Sequence, residues 1–128
     1  MNKHIGILLC FLPILLASQN TFKVSIHLNN LNGNKLRVGY LKNGKTVLDT
    51  LSSSKDNLVL WEGSTIDPQL SRIEVLDTNL YLRIGKAVAL PPALQFLLSN
   101  SEINIEGDAK EIWTASIKAT DEEVNLYE

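Results

Sequence analysis

The segment Phe22–Asn29, FKVSIHLN, sets apolar Phe22, Val24, Ile26 and Leu28 against polar Lys23, Ser25 and His27. A two-residue period puts alternate side chains on opposite faces of an extended chain, so one face of this segment is dry and the other wet. The pattern returns in short pieces: LRVGYL (36–41), TVLDTL (46–51), LVLWEG (58–63), LSRIEVLD (70–77) and LYLRIG (80–85). Between them stand turn formers. Asn32-Gly33 and Asn43-Gly44 supply the positive φ that tight connections need, and the first two segments read as a hairpin. SSSKDN (52–57) is a polar break, and Asp67-Pro68 closes a strand because proline lacks a ladder donor.

The region 86–99, KAVALPPALQFLLS, has the length of an apolar helix, but Pro91 and Pro92 divide it. It is expected as a loop followed by a strand over 93–98. Ile103 and Ile105 then alternate with Glu102, Asn104 and Glu106, giving a strand that ends at Gly107-Asp108, and another short strand is expected near 115–119. The expected fold is all-β: an antiparallel sandwich or partly open barrel of about 7–9 short strands.

Before the first strand lies a basic start (1–4), an apolar run over 5–17 and small or polar residues at Ala17, Ser18 and Gln19. This has the form of a secretory signal peptide, with cleavage expected after Ser18. The run is too short for a membrane-spanning helix and contains Pro13, so no stable membrane anchor is expected after cleavage. A lipid-anchor reading would use Cys10, but Leu9 before it is not small. Removal of residues 1–18 leaves no cysteine, and hence no disulfide and no thiol chemistry. Loss of Lys3 also leaves 11 basic residues against 14 acidic ones with no basic block, so nucleic acid and anionic membrane are not expected as partners. The division is a signal at 1–18, one β domain at 19–119 and, at 120–128, the start of a linker helix. Thr120 with Glu123 has the form of a capping box there, and Asp121 and Glu122 lie in the first turn. About eight residues are too few for a stable isolated helix, so the chain reads as cut short.

Candidate chemistry is sparse. His27 is the one histidine left after the signal, on the wet side of a strand, and cannot build a zinc site alone. Glu102, Glu106 and Asp108 could bind calcium or act as acid and base, yet their alternation and the lack of calcium-loop spacing make them strand and turn residues. No catalytic, cofactor or metal residue is therefore assigned. Trp61, Tyr81 and Trp113 are the candidate ligand platforms, since an exposed aromatic ring can stack on a sugar; for Trp61, in an apolar strand, core packing is the commoner fate.

Taken in order, FKVSIHLNNLNGNKLRVGYL, TVLDTL, LVLWEGSTIDP, LQFLLSNSEINIEGD and ATDEEVNLYE resemble the domain of unknown function 4369, over nearly all of the chain from residue 22 to 128. Asp49-Thr50, Trp61-Glu62-Gly63 and Gly107-Asp108 fill that family's Asp-Ser/Thr, strand-end and Gly-Asp turn positions. The resemblance implies the N-terminal accessory module of exported thioredoxin-like (AhpC/TSA-type) proteins of Bacteroidota. Such a module is periplasmic or in the outer cell envelope, carries no cofactor, and has as partner another protein or a thioredoxin-like domain following it. Thiol–disulfide activity does not transfer, because no Cys-x-x-Cys pair is present. The alternative is a small periplasmic sandwich that binds a glycan or apolar ligand. Asp49-Thr50-Leu51 also matches a short O-glycosylation pattern of some periplasmic systems, useful only if Thr50 faces water.

Overall fold

The computed structural model describes residues 20–54, 56–86 and 88–121. Its strands are β1 (Phe22–Asn29), β2 (Lys35–Lys42), β3 (Lys45–Leu51), β4 (Leu58–Gly63), β5 (Gln69–Leu76), β6 (Leu82–Ile84), β7 (Val88–Leu90), β8 (Ala93–Leu98), β9 (Glu102–Asp108) and β10 (Ser116–Ala119), with 3-10 turns at Thr78–Leu80 and Ala109–Thr114. Two four-stranded sheets form a sandwich. The first has the order β10-β9-β1-β4, the second β3-β2-β5-β8, and β6-β7 is a separate two-stranded ribbon. The all-β expectation holds, as a sandwich rather than a barrel.

Alternation decides which side of each sheet faces in. Phe22, Val24, Ile26 and Leu28 of β1 are buried, as are Val59 and Trp61 of β4, Ile103 and Ile105 of β9 and Ile117 of β10. From the second sheet come Leu36 and Val38 of β2, Ile73 and Val75 of β5, and Leu94, Phe96 and Leu98 of β8. Burying each such side chain contributes roughly 1.5–3 kcal/mol, so the interlayer core is the main stabilising term. Trp61 stands at its centre, with ring centroids 4.8 Å from Phe22, 5.5 Å from Tyr40 and 6.4 Å from Phe96, all edge-on. Its indole thereby joins both sheets in the offset geometry that aromatic quadrupoles favour.

Two expectations fail in instructive ways. First, β1 and β2 are not a hairpin: β1 pairs with β4 and β9, whereas β2 pairs with β3 and β5. The turn chemistry is as read, since Asn32 (φ 54°) and Gly33 (φ 77°) are left-handed and Asn34 N donates to Leu31 O at 3.0 Å. Leu31, however, is fully buried, so the loop plugs the end of the core and crosses from one sheet to the other. Second, the sandwich is not wholly antiparallel, because β1 and β9 run parallel from Lys23–Glu102 to Asn29–Asp108. Asn43 (φ 54°) and Gly44 (φ 76°) do close the expected two-residue hairpin between β2 and β3, with Lys42 opposite Lys45.

The 93–98 strand is present as expected and β6 falls within LYLRIG, but the segment read as a loop before 93–98 holds β7, β6's partner, and the 3-10 turn over 109–114 had no expectation at all. The signal segment lies outside the described residues, as does most of the expected terminal helix. Of the latter, Thr120 is described: its N–H donates to Glu102 O at 3.1 Å and its hydroxyl accepts from Glu102 N at 3.2 Å, lengthening the β9-β10 pairing.

Candidate functional site

The acids of NSEINIEGD lie on the wet face of β9 and at its end. Glu102 and Glu106 point to water from β9, flanking Lys23 and His27 of β1. Asp108 caps the following 3-10 turn, accepting from Lys110 N at 2.9 Å, and its other oxygen accepts from Asn30 Nδ2 at 2.7 Å. Among the described residues no three His, Cys, Asp or Glu side chains are placed to hold a metal ion. His27 is exposed on the outer face.

The three candidate platforms do not converge. Trp61 is 3% exposed and enclosed by Phe22, Tyr40 and Phe96, so no ring face is open to a ligand; core packing prevails over stacking at this position. Trp113, in the 3-10 turn after β9, is 52% exposed and joins no aromatic pair among the described residues. Tyr81 is half-buried at the entry to β6, near Arg37. Thr50 does face water, on the edge strand β3 opposite Arg37.

What the fold assembles instead is a surface on the outer side of the second sheet. Alternation turns Arg37, Gly39 and Leu41 of β2 away from the core, with Leu48 of β3 and Leu70, Arg72 and Glu74 of β5 beside them. Leu41, Leu48 and Leu70 are 53–62% exposed. Gly39 lies between Leu48 and Arg72, with Leu48 Cδ2 leaning over it 3.0 Å from where a Cβ would stand, and it floors a shallow notch in the sheet face that Leu41, Leu48, Leu70 and Arg72 line. The shallow cavity at this point is about 260 Å³.

Beside the notch, two guanidiniums share one acid. Arg37 Nε lies 2.8 Å from Glu74 Oε1, and Arg72 Nε 3.5 Å from Glu74 Oε2. The hydrogen bond to Glu74 and then that carboxylate's charge hold Arg37 above its ordinary pKa; burial opposes them weakly and Tyr81 adds to the rise. One carboxylate cannot neutralise two cations, so this patch keeps a positive charge. The imbalance extends across the sheet: β2, β3, β5 and β8 carry Lys35, Arg37, Lys42, Lys45 and Arg72 against Asp49 and Glu74. The opposite sheet reverses it, with Glu62, Glu102, Glu106 and Asp108 against Lys23 and Lys118.

Two further features frame this surface. A cleft of about 520 Å³ lies between the β2-β3 turn and the loop from β4 to β5, with Ile66 at its rim 83% exposed. Its wall is set by Gln69, whose Oε1 accepts from Leu41 N at 2.6 Å and whose Nε2 donates to Leu41 O at 2.7 Å. At the other end, Leu82, Ile84, Val88 and Leu90 occupy one face of the β6-β7 ribbon at 42–62% exposure.

Sequence reasoning did not single out Gly39, Arg37, Arg72 or the leucines around them. The signal was present: a glycine and a leucine stand on the side of LRVGYL that alternation assigns to water, and Leu70 stands on the wet side of β5 while Ser71 takes the dry one. Comparisons with protein-family models, with curated proteins and with solved structures returned no match.

Proposed function

We propose that this chain is a non-catalytic interaction domain, exported to the periplasm or outer envelope, that works as the accessory module of a protein partner or of a thioredoxin-like domain. The observation that carries the reading is the β6-β7 ribbon. A lone two-stranded ribbon is marginal in water, and this one presents four aliphatic side chains on one face with nothing over them among the described residues. Exposed apolar patches of this kind mark contact surfaces. The resemblance to the domain of unknown function 4369 points the same way.

Site-specific photo-crosslinking in exporting cells tests it. A photoreactive residue at Leu82 or Leu90 is expected to give discrete protein adducts that the same residue at Lys118 does not. Ribbon positions that give none would remove the reading. The alternative, a glycan-binding sandwich, is left with Trp113 as its exposed indole; an unchanged tryptophan emission across a glycan titration would dispose of it.

A further inference from the structure

The geometry points to a docking groove on the outer face of the second sheet for an acidic, extended segment of a partner protein. An aliphatic side chain of that segment fills the notch at Gly39, and a neighbouring carboxylate meets Arg72 and Arg37. The inference rests on reading the domain as an interaction module, but it concerns a different surface from the β6-β7 ribbon.

Three observations carry it. The notch is walled by Leu41, Leu48 and Leu70, each more than half exposed, so an apolar side chain entering it removes four apolar surfaces from water together. Each arginine reaches Glu74 through Nε alone among the hydrogen bonds and ion pairs of the described residues, which leaves the terminal nitrogens of both guanidiniums for a second carboxylate. A planar fork matches a carboxylate in two-point fashion, and a half-exposed fork already oriented by one acid loses less freedom on taking another. Finally, the row containing Gly39 and Arg72 and the row containing Arg37 and Glu74 are two residues apart along β2 and β5. That is a separation of roughly 7 Å, the spacing of side chains i and i+2 on an extended chain.

Charge selects the class of partner. The sheet's excess of basic residues favours an acidic segment, and complementary charge sets specificity and encounter rate. A recessed patch with Glu74 at its centre fits a side chain beside a carboxylate better than the plane of an anionic bilayer.

The test uses the complete chain as bait for a random octapeptide library displayed on phage, followed by affinity measurement on synthetic peptides. Selected sequences are expected to place Asp or Glu two residues from Leu, Ile, Val or Phe. Their binding is expected to weaken about tenfold or more with Gly39→Val, which fills the notch, and with Arg72→Glu, while Leu60→Ser on the opposite sheet leaves it unchanged. Exchanging the peptide acid for lysine is expected to restore binding to Arg72→Glu, a readout that misfolding could not produce. No enrichment, enriched peptides without an acid, or equal binding to both variants would overturn the inference. Arg72-dependent sedimentation with phosphatidylglycerol vesicles in the absence of peptide binding would overturn it in favour of lipid. A failed selection alongside ribbon crosslinks would sink this groove and leave the interaction-domain reading standing.

Discussion

The carboxamide of Asn100 holds both main-chain groups of Thr65: Nδ2 donates to Thr65 O at 2.8 Å, and Thr65 N donates to Oδ1 at 3.0 Å. The two residues sit in the two links that cross between the sheets at this end, β8 to β9 and β4 to β5. Thr65 is 8% exposed, so its peptide groups lack full access to water and need that partner. Gln69 repeats the device on Leu41 and donates to Thr65 Oγ1 at 2.8 Å, which ties the β2-β3 end into the same network.

Replacing Asn100 by alanine is expected to destabilise the fold by about 1–3 kcal/mol, because it leaves a donor and an acceptor of Thr65 unpaired. Asn100→Asp keeps the acceptor for Thr65 N but sets a carboxylate oxygen against Thr65 O in place of the donor, so at neutral pH it is expected to be at least as destabilising as Asn100→Ala. Urea unfolding midpoints at constant slope give the order; equal midpoints for all three would contradict it.

Ser71 is expected to respond in the opposite sense. It is 3% exposed on the inner face of β5, and its hydroxyl has no hydrogen-bond partner among the described residues. Ser71→Ala removes an unpaired polar group and is expected to be neutral or stabilising by up to about 1 kcal/mol. A clear loss of thermal stability would mean that the hydroxyl is satisfied.

The alternation of Phe22–Leu28 and of Ile103 and Ile105 was enough to assign strands and to say which side is dry, since both follow from local geometry. Which strands pair was not legible. Nothing near Phe22 says that its neighbours are β4 and β9, and Asn32-Gly33 gave a correct turn with the wrong partner because the burial of Leu31 depends on the whole core. The groove was hidden for a related reason: Gly39, Leu48 and Arg72 come from three strands and become neighbours only through register. Of the ribbon, β6 was legible in LYLRIG, whereas β7 was lost behind Pro91 and Pro92, whose backbone limits masked the three-residue strand before them.

Gly107→Ala is expected to cost about 1–3 kcal/mol through overpacking. An added Cβ would stand 2.9 Å from Ala115 Cβ and 3.0 Å from its Cα, and a backbone atom cannot swing aside as a side-chain tip can. Ala115→Gly in the same chain is expected to recover part of the loss, measured as a double-mutant cycle.

The two indoles are expected to separate cleanly in emission. Trp113→Phe should remove the red-shifted, readily quenched component, while Trp61→Phe should remove the blue-shifted one and weaken the fold by opening a gap among Phe22, Tyr40 and Phe96. Acrylamide quenching of each variant reads this directly.

Arg37 is expected to add no pH dependence near neutrality. Its folded pKa lies above its ordinary value, so its contribution is fully present below that ordinary value and is lost only as pH rises through the folded one, far into the alkaline range. Glu74→Gln leaves Arg37 and Arg72 facing each other without their shared acid. It is expected to cost no more than about 1 kcal/mol at low salt, and less at high salt, as for a partly exposed pair.

The parallel seam between β1 and β9 makes the order of assembly matter. The strand that emerges first sits inside its sheet, beside a strand whose residues lie roughly eighty positions later, and closing so long a loop is a slow event in folding. Until Ile103 and Ile105 arrive, β1 keeps one hydrogen-bonding flank and half of its dry face unsealed. A chain stopped short of β9 is therefore left with a sticky edge in place of a smaller stable domain.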